Sequence, residues 1–361
     1  MKRNKYQISN WIIIFEAALL FSIFINSCSV NNSGNRYDFS LFWDSPDLEA
    51  LEPFKFDFYD SLGEPMTFQP EYVKYDTIRQ NLIVLDYIKS KILIISPQGD
   101  LIAEIGREGD AVSELSRPGH IGYDRYGNIY IIDQNKIEIY DSLGNEWHSF
   151  YPEYRPWQIL VEDTNSIYVL TTRPSNGKIL AKYNLSGELL SEYVDKVNVN
   201  ISDRRERRWL ERVANQAYIT QDGDKNIYVA FSGEYRIVKI DEQGNVDFDY
   251  ITRELPFEPI KPHSPEDTTD QIASLIIGDI SVDEKGNLYV LWGETFGQPF
   301  CRVDVYDHQG EMIDVLKLAV PYPGEQRRTW YISPLGDIEV FGGYLYAVEI
   351  LGEGLIYRYG I

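Results

Sequence analysis

The stretch Gly127-Asn128-Ile129-Tyr130-Ile131-Ile132-Asp133 decides how this chain is read. Gly-Asn is turn chemistry, and the β-branched and aromatic run behind it reads as a buried strand. Lys136-Ile137-Glu138-Ile139-Tyr140 follows with alternating polar and apolar residues, and then comes the turn Asp141-Ser142-Leu143-Gly144. The same order recurs from Asn81 to Gly99, Ser166 to Gly187, Asn226 to Gly244, Asn287 to Gly310 and Tyr344 to Gly360.

Six copies of one all-β unit, marked by Ile83, Tyr130, Tyr168, Tyr228, Tyr289 and Tyr346, predict a six-bladed β-propeller with four-stranded antiparallel blades. A helical solenoid is excluded, because the copies carry continuous and alternating runs rather than a 3.6-residue period. Lys55-Phe56-Asp57-Phe58-Tyr59-Asp60-Ser61-Leu62-Gly63 nearly repeats Lys136 to Gly144, while the last copy stops at Gly360 without a fourth strand. An N-terminal strand is therefore expected to complete the last blade and remove two open sheet edges.

Composition agrees with β structure: 27 Tyr and 16 Phe stand against only 3 Met. The formal net charge is −22, which repels phosphate backbones and argues against general nucleic-acid binding. The two cysteines cannot form a disulfide framework; Cys301 begins a strand and reads as a small packed apolar residue. No Gly-rich phosphate loop, His-Glu-x-x-His or Cys-x-x-Cys occurs, and His148, His263 and His308 fall in strand-edge or loop contexts.

Residues 1–27 read as an export signal, with Lys2, Arg3 and Lys5 before the apolar run from Trp11 to Ile25. Ile25-Asn26-Ser27-Cys28 resembles the lipobox of bacterial lipoproteins, in which the Cys becomes N-terminal and is diacylated, so Cys28 is the expected lipidation site. Asn26 and Glu16 depart from that pattern. Residues 28–50 read as the lipidated Cys and a tether, and 51–361 as the propeller. The repeat, with Pro118-Gly119-His120-Ile121-Gly122-Tyr123-Asp124 ahead of its Gly-Asn-Ile-Tyr element, resembles NHL repeats. Together with the lipobox, the chain is similar to six-bladed propeller lipoproteins of Bacteroidetes-type bacteria. That resemblance implies a fold and a place in the cell envelope, anchored to the outer membrane, and little about chemistry; the residues after Cys28 lack the acidic cluster that resembles a surface-export signal, which favours a periplasm-facing protein.

Turns joining strands 1 to 2 and 3 to 4 of each blade are short, so all padding falls on the opposite face, where binding loops gather on rigid scaffolds. Two padded segments carry arginines beside tryptophan: Arg205, Arg208 and Trp209, preceded by a helix cap at Ser202-Asp203, and Arg327, Arg328 and Trp330. They either hold an anionic or sugar ligand, or neutralise carboxylates while each Trp packs over a blade. Aligned strand-1 starts put Tyr72, His120, Gln158, Tyr218, Asp279 and Asp337 at one register, either a second candidate ring at the channel mouth on the same face or polar residues that only solvate a wet channel.

Two functions follow. One is a non-catalytic envelope propeller that binds a carbohydrate, peptide or envelope protein, without a cofactor and touching membrane only through its lipid. The other is an enzyme like the six-bladed lactonases and lyases, holding a divalent cation such as calcium at Asp279 and Asp337. The Glu-Asn-Asp set of those enzymes is not evident in this sequence.

Overall fold

The computed structural model describes residues 47–48, 51–54, 69–109, 111, 114–162, 165–171, 176–199, 202–233, 235–251, 276–293, 300–320, 333, 335–350 and 355–361. Its organisation starts in the turns. Asp124 accepts from the backbone N–H of Tyr126 and Asn128 at 2.8 and 2.9 Å, and from the Asn128 side chain at 2.7 Å. Gly127 takes φ +78°, the left-handed conformation that a side chain disfavours. The Tyr130 hydroxyl then reaches back to Asp124 at 3.2 Å from inside the sheet. Asp222-Asn226-Tyr228 and Asp283-Asn287-Tyr289 repeat this arrangement. The Gly-Asn-x-Tyr element is thus a self-contained turn whose tyrosine locks the turn carboxylate to the following strand.

Each such turn joins strands 1 and 2 of a blade. Blade 1 comprises β3 (Pro70–Asp76), β4 (Asn81–Asp86), β5 (Lys91–Ile95) and β6 (Leu101–Ile105), and blade 2 comprises β7 (Pro118–Tyr123), β8 (Ile129–Asp133), β9 (Lys136–Tyr140) and β10 (Glu146–Phe150). Blade 3 runs through β11 (Gln158–Val161), β12 (Ser166–Leu170), β13 (Lys178–Asn184) and β14 (Leu189–Asp195). Blade 4 runs through β15 (Ala217–Gln221), β16 (Ile227–Phe231), β17 (Arg236–Ile240) and β18 (Val246–Ile251). Blade 5 contains β19 (Ile277–Val282), β20 (Leu288–Trp292), β21 (Phe300–Tyr306) and β22 (Met312–Ala319), and blade 6 contains β23 (Leu335–Phe341), β24 (Tyr344–Glu349) and β25 (Ile356–Gly360). Every neighbouring pair within a blade is antiparallel.

Strands β8, β12, β16 and β20 are buried along their whole length, which explains their unbroken apolar sequence: both faces meet a neighbouring blade. Six core clusters lie one at each seam between blades. The last unites Val73, Leu82 and Val84 of blade 1 with Tyr346, Val348 and Ile356 of blade 6, so the ring is closed. Cys301 is 1% exposed in the cluster between blades 5 and 6, as its apolar reading requires.

Closure is N-terminal, as expected, but by a different segment. β2 (Leu51–Phe54) pairs antiparallel with β25 as the fourth strand of blade 6, and Lys55 to Gly63 lie outside the described residues. Pro53 suits this place, since an outermost strand can lack one N–H. Residues expected in the tether are also used: β1 (Asp47–Leu48) pairs parallel with β22, making a fifth strand on blade 5. The N-terminal segment therefore spans the outside of the seam between blades 5 and 6. Among the described residues no helix is long and apolar enough to cross a membrane.

Candidate functional site

Strand 1 of each blade lines the axis and pairs only with strand 2, leaving an inner edge of unpaired backbone groups. The register residues supply what this edge lacks. Asp337 Oδ2 accepts from Val73 N–H at 2.7 Å, and Asp279 Oδ2 from Ile338 N–H at 2.9 Å. Gln158 Oε1 accepts from Ile219 N–H at 3.0 Å, and His120 Nδ1 from Ile159 N–H at 3.4 Å. Each bond runs from one blade to strand 1 of the next. One step deeper, Glu339 and Ser281 accept from Tyr75 and Val340 N–H at 3.2 and 3.0 Å.

Local backbone irregularity aims these side chains. The strand-1 register shifts at Pro70/Tyr72, Pro118/His120, Ile277/Asp279 and Leu335/Asp337, immediately before the residue concerned. A bulge of this kind redirects a side chain out of the ordinary alternation. Among the described residues Tyr72 and Tyr218 make no bond of this kind. Tyr72 instead meets the His120 ring edge-to-face at 4.7 Å, and the Tyr218 hydroxyl lies 3.5 Å from Gln216 Nε2.

The six residues thus stand at one level, as the sequence register predicts, but they do not form an open polar mouth. His120, Gln158, Asp279 and Asp337 are no more than 3% exposed. Burial pushes His120 well below the ordinary imidazole range, with Lys74 adding to the effect, so its ring is neutral and its Nδ1 free to accept. Burial, assisted by Asp279, holds Asp337 well above the usual carboxylate range; Asp279 is raised by burial and lowered by Lys74 and by a hydrogen bond from Asp337. Burial thus disfavours charge on both carboxyls, and Asp337 Oδ1 is buried without a hydrogen-bond partner among the described residues.

Lys74 sits in this acidic centre. Burial alone would lower it, but Glu339, Asp337 and Asp279 together raise it, and Nζ lies 3.3 Å from Glu339 Oε2. Nearby Glu71 is pushed up to about 7 by burial, with Oε2 unbonded. Sequence reading missed Lys74, Glu339 and Ser281, although all occupy the register two residues past the candidate ring and so share its face of strand 1.

The second candidate lies on the other kind of surface. Helix α1 (Arg204–Ala214) starts after Ser202-Asp203, as the cap predicts, and joins β14 to β15 on the face where strands 1 begin. Leu210 and Ala214 are buried, and Leu210 packs with Val199 and Val213. Gly233 makes the close approach possible: a Cβ there would stand 2.9 Å from Ala214 Cα. Asn215 then ties the helix end to the chain, accepting from Val197 N–H at 2.7 Å and donating to Val197 O and Glu211 O at 3.0 and 2.7 Å. Trp209 is 36% exposed and Arg208 is exposed, so Trp209 is not core packing between strands. Arg205 lies within α1, while Arg327, Arg328, Trp330 and Cys28 fall outside the described residues. His148 and His308 are exposed, and His263 is outside the described residues.

Among the described residues no group of three or more His, Cys, Asp or Glu side chains is arranged to hold a metal ion. No protein-family model matches the chain, and no curated protein matches it in sequence. Solved structures do resemble it. A Bacteroides fragilis protein assigned as exported shares 13% identity over 86% of this chain and 94% of its own, with a TM-score of 0.54. A gluconolactonase of Xanthomonas campestris shares 13% identity over 88% and 98%, with a TM-score of 0.51. Virginiamycin B lyase of Staphylococcus aureus shares 13% identity over 81% and 80%, with a TM-score of 0.48. At such identities the likeness to the first two supports the propeller fold and says nothing about activity.

Proposed function

We propose that this protein is a non-catalytic, NHL-like propeller of the cell envelope, anchored through Cys28 to the outer membrane and binding its partner on the long-loop face. The observation that carries this reading is the use of the channel register. Four of its six side chains fasten one blade to the next, and Tyr72 packs edge-to-face on one of them, His120. Groups committed to buried backbone donors are poorly placed to exchange those bonds for a substrate. What remains free is α1, whose Trp209 and Arg208 face solvent on a helix clamped to blades 3 and 4.

The cation-dependent enzyme reading fits the residues less well. Asp279 and Asp337 each accept a backbone N–H of the next blade, and the Lys74 ammonium already supplies positive charge among Asp279, Asp337 and Glu339. A hard cation wants several ionised or carbonyl oxygens instead.

Binding of the purified chain to a mixed glycan and peptide array tests the proposal. Trp209→Ala should lower the signal about tenfold to a hundredfold, the size of a stacking contact, with little change in melting temperature. Stoichiometric calcium lost in Asp279→Asn, together with hydrolysis of glucono-1,5-lactone, would replace it with the enzyme reading.

A further inference from the structure

Helix α1 has the sequence Arg-Arg-Glu-Arg-Arg-Trp-Leu-Glu-Arg-Val-Ala, five arginines against two glutamates, in a chain whose net charge is −22. With Leu210, Val213 and Ala214 turned to the propeller, helical geometry puts Arg204, Arg208 and Arg212 on the opposite side at successive i, i+4 steps. All three are exposed, Arg207 is exposed beside them, and Trp209 stands at the edge of the stripe.

Local stability does not account for this arrangement. Like charges at i, i+4 repel, and arginines in the first two turns oppose the helix dipole; only Arg212, in the last turn, complements it. Acidic side chains abound, yet among the described residues Arg204, Arg207, Arg208 and Arg212 make no ion pair. The turns at the opposite end of the blades carry Asp100, Asp141, Asp224, Asp241, Glu242 and Asp307 interspersed with Arg79, Arg125, Lys225 and Lys285, whereas the exposed side of α1 is a run of arginines.

We infer that the exposed face of α1 is a docking strip for an acidic polysaccharide, a linear chain bearing carboxylates at regular intervals. This rests on the reading that the long-loop face binds, and it names the ligand class. Guanidinium forks match carboxylate geometry, and a row of them along one helix face matches a linear polyanion. Trp209, 36% exposed at the rim, offers the flat surface on which a sugar ring stacks. A lipid surface fits less well: an interfacial helix buries its apolar side in the bilayer, and the apolar side of α1 is already buried, Leu210 against Val199 and Ala214 close to Gly233. A rigid strip held by Asn215 and the Gly233 contact also loses little freedom on binding.

The test uses the full chain with polygalacturonate as probe, read by tryptophan fluorescence and calorimetry. Wild type should bind polygalacturonate and not neutral dextran, with affinity falling as salt rises. Arg204→Gln/Arg208→Gln/Arg212→Gln should lose at least tenfold in affinity with an unchanged melting temperature, and Trp209→Ala should also lose affinity. Lys225→Gln, on the opposite face and paired with Glu242, should bind like wild type. No binding of polygalacturonate, or equal binding by the triple variant, would overturn the inference. So would arginine-dependent binding to phosphatidylglycerol vesicles in place of the polymer. Binding of a neutral glycan that depends on Trp209 alone would remove the charge argument yet keep the binding face. Binding lost in Tyr72→Phe and untouched by every α1 variant would remove both.

Discussion

Gln158 offers the sharpest test of the idea that the channel register fastens the ring. Its Oε1 receives Ile219 N–H at 3.0 Å across the seam between blades 3 and 4, with Gln158 2% and Ile219 7% exposed. Gln158→Leu keeps a comparable volume but removes the acceptor, leaving a buried N–H unpaired at about 1–3 kcal/mol. Gln158→Ala also removes buried methylene, adding about 0.8 kcal/mol per CH₂, so its total is about 2–4 kcal/mol. In equilibrium urea unfolding both variants should lower the midpoint at unchanged slope, alanine further than leucine. The melting temperature should fall by several degrees, given about 2–4 °C per kcal/mol for large domains. A change below about 0.5 kcal/mol, typical of surface positions, would refute the fastening role.

Other consequences are separable. Glu71 has its carboxyl raised from 4.5 to about 7, so its contribution to stability is fully present below pH 4.5 and lost as pH rises through 7. Glu71→Gln should therefore stabilise the protein above pH 7, by up to ~3 kcal/mol, and flatten the pH 4.5–7 stability profile; an unchanged profile would contradict the buried carboxyl. Deleting residues 47–54 strips β1 and β2 and exposes the edge of β25, so melting should drop by at least about 5 °C and aggregation should rise, whereas deleting 29–45 should leave melting unchanged. Cys28→Ala should abolish lipid labelling and leave precursor in the membrane fraction or release soluble protein; labelling equal to wild type would disprove the anchor.

Much of the fold was legible because its signals are local. Asp124, Gly127, Asn128 and Tyr130 make their bonds within six residues of one another, so the turn is written in consecutive letters. The buried second strands betray themselves by unbroken apolar runs for the same reason. Closure was legible as a need but not as a segment: Leu51–Phe54 carries a proline and no turn signature, and it pairs with residues more than three hundred positions away. The register Tyr72, His120, Gln158, Tyr218, Asp279 and Asp337 could be aligned, yet its task could not be read. The task is an acceptor for a backbone N–H, which Asp, His and Gln perform equally well. The donor lies 39 residues away for His120 and 264 for Asp337. Helix α1 showed its cap and its arginines in sequence; only packing on Gly233 and Leu210 fixes which of them face solvent.

Hydrogen–deuterium exchange of the full chain with and without saturating polygalacturonate tests the central claim most directly, that the axis holds the ring together while the long-loop face binds. Residues 202–216 should gain protection on binding, while the amides of Val73, Ile159, Ile219 and Ile338 should exchange slowly and equally in both states. Protection gained at those strand-1 amides, with 202–216 unchanged, would place binding in the channel and contradict the account.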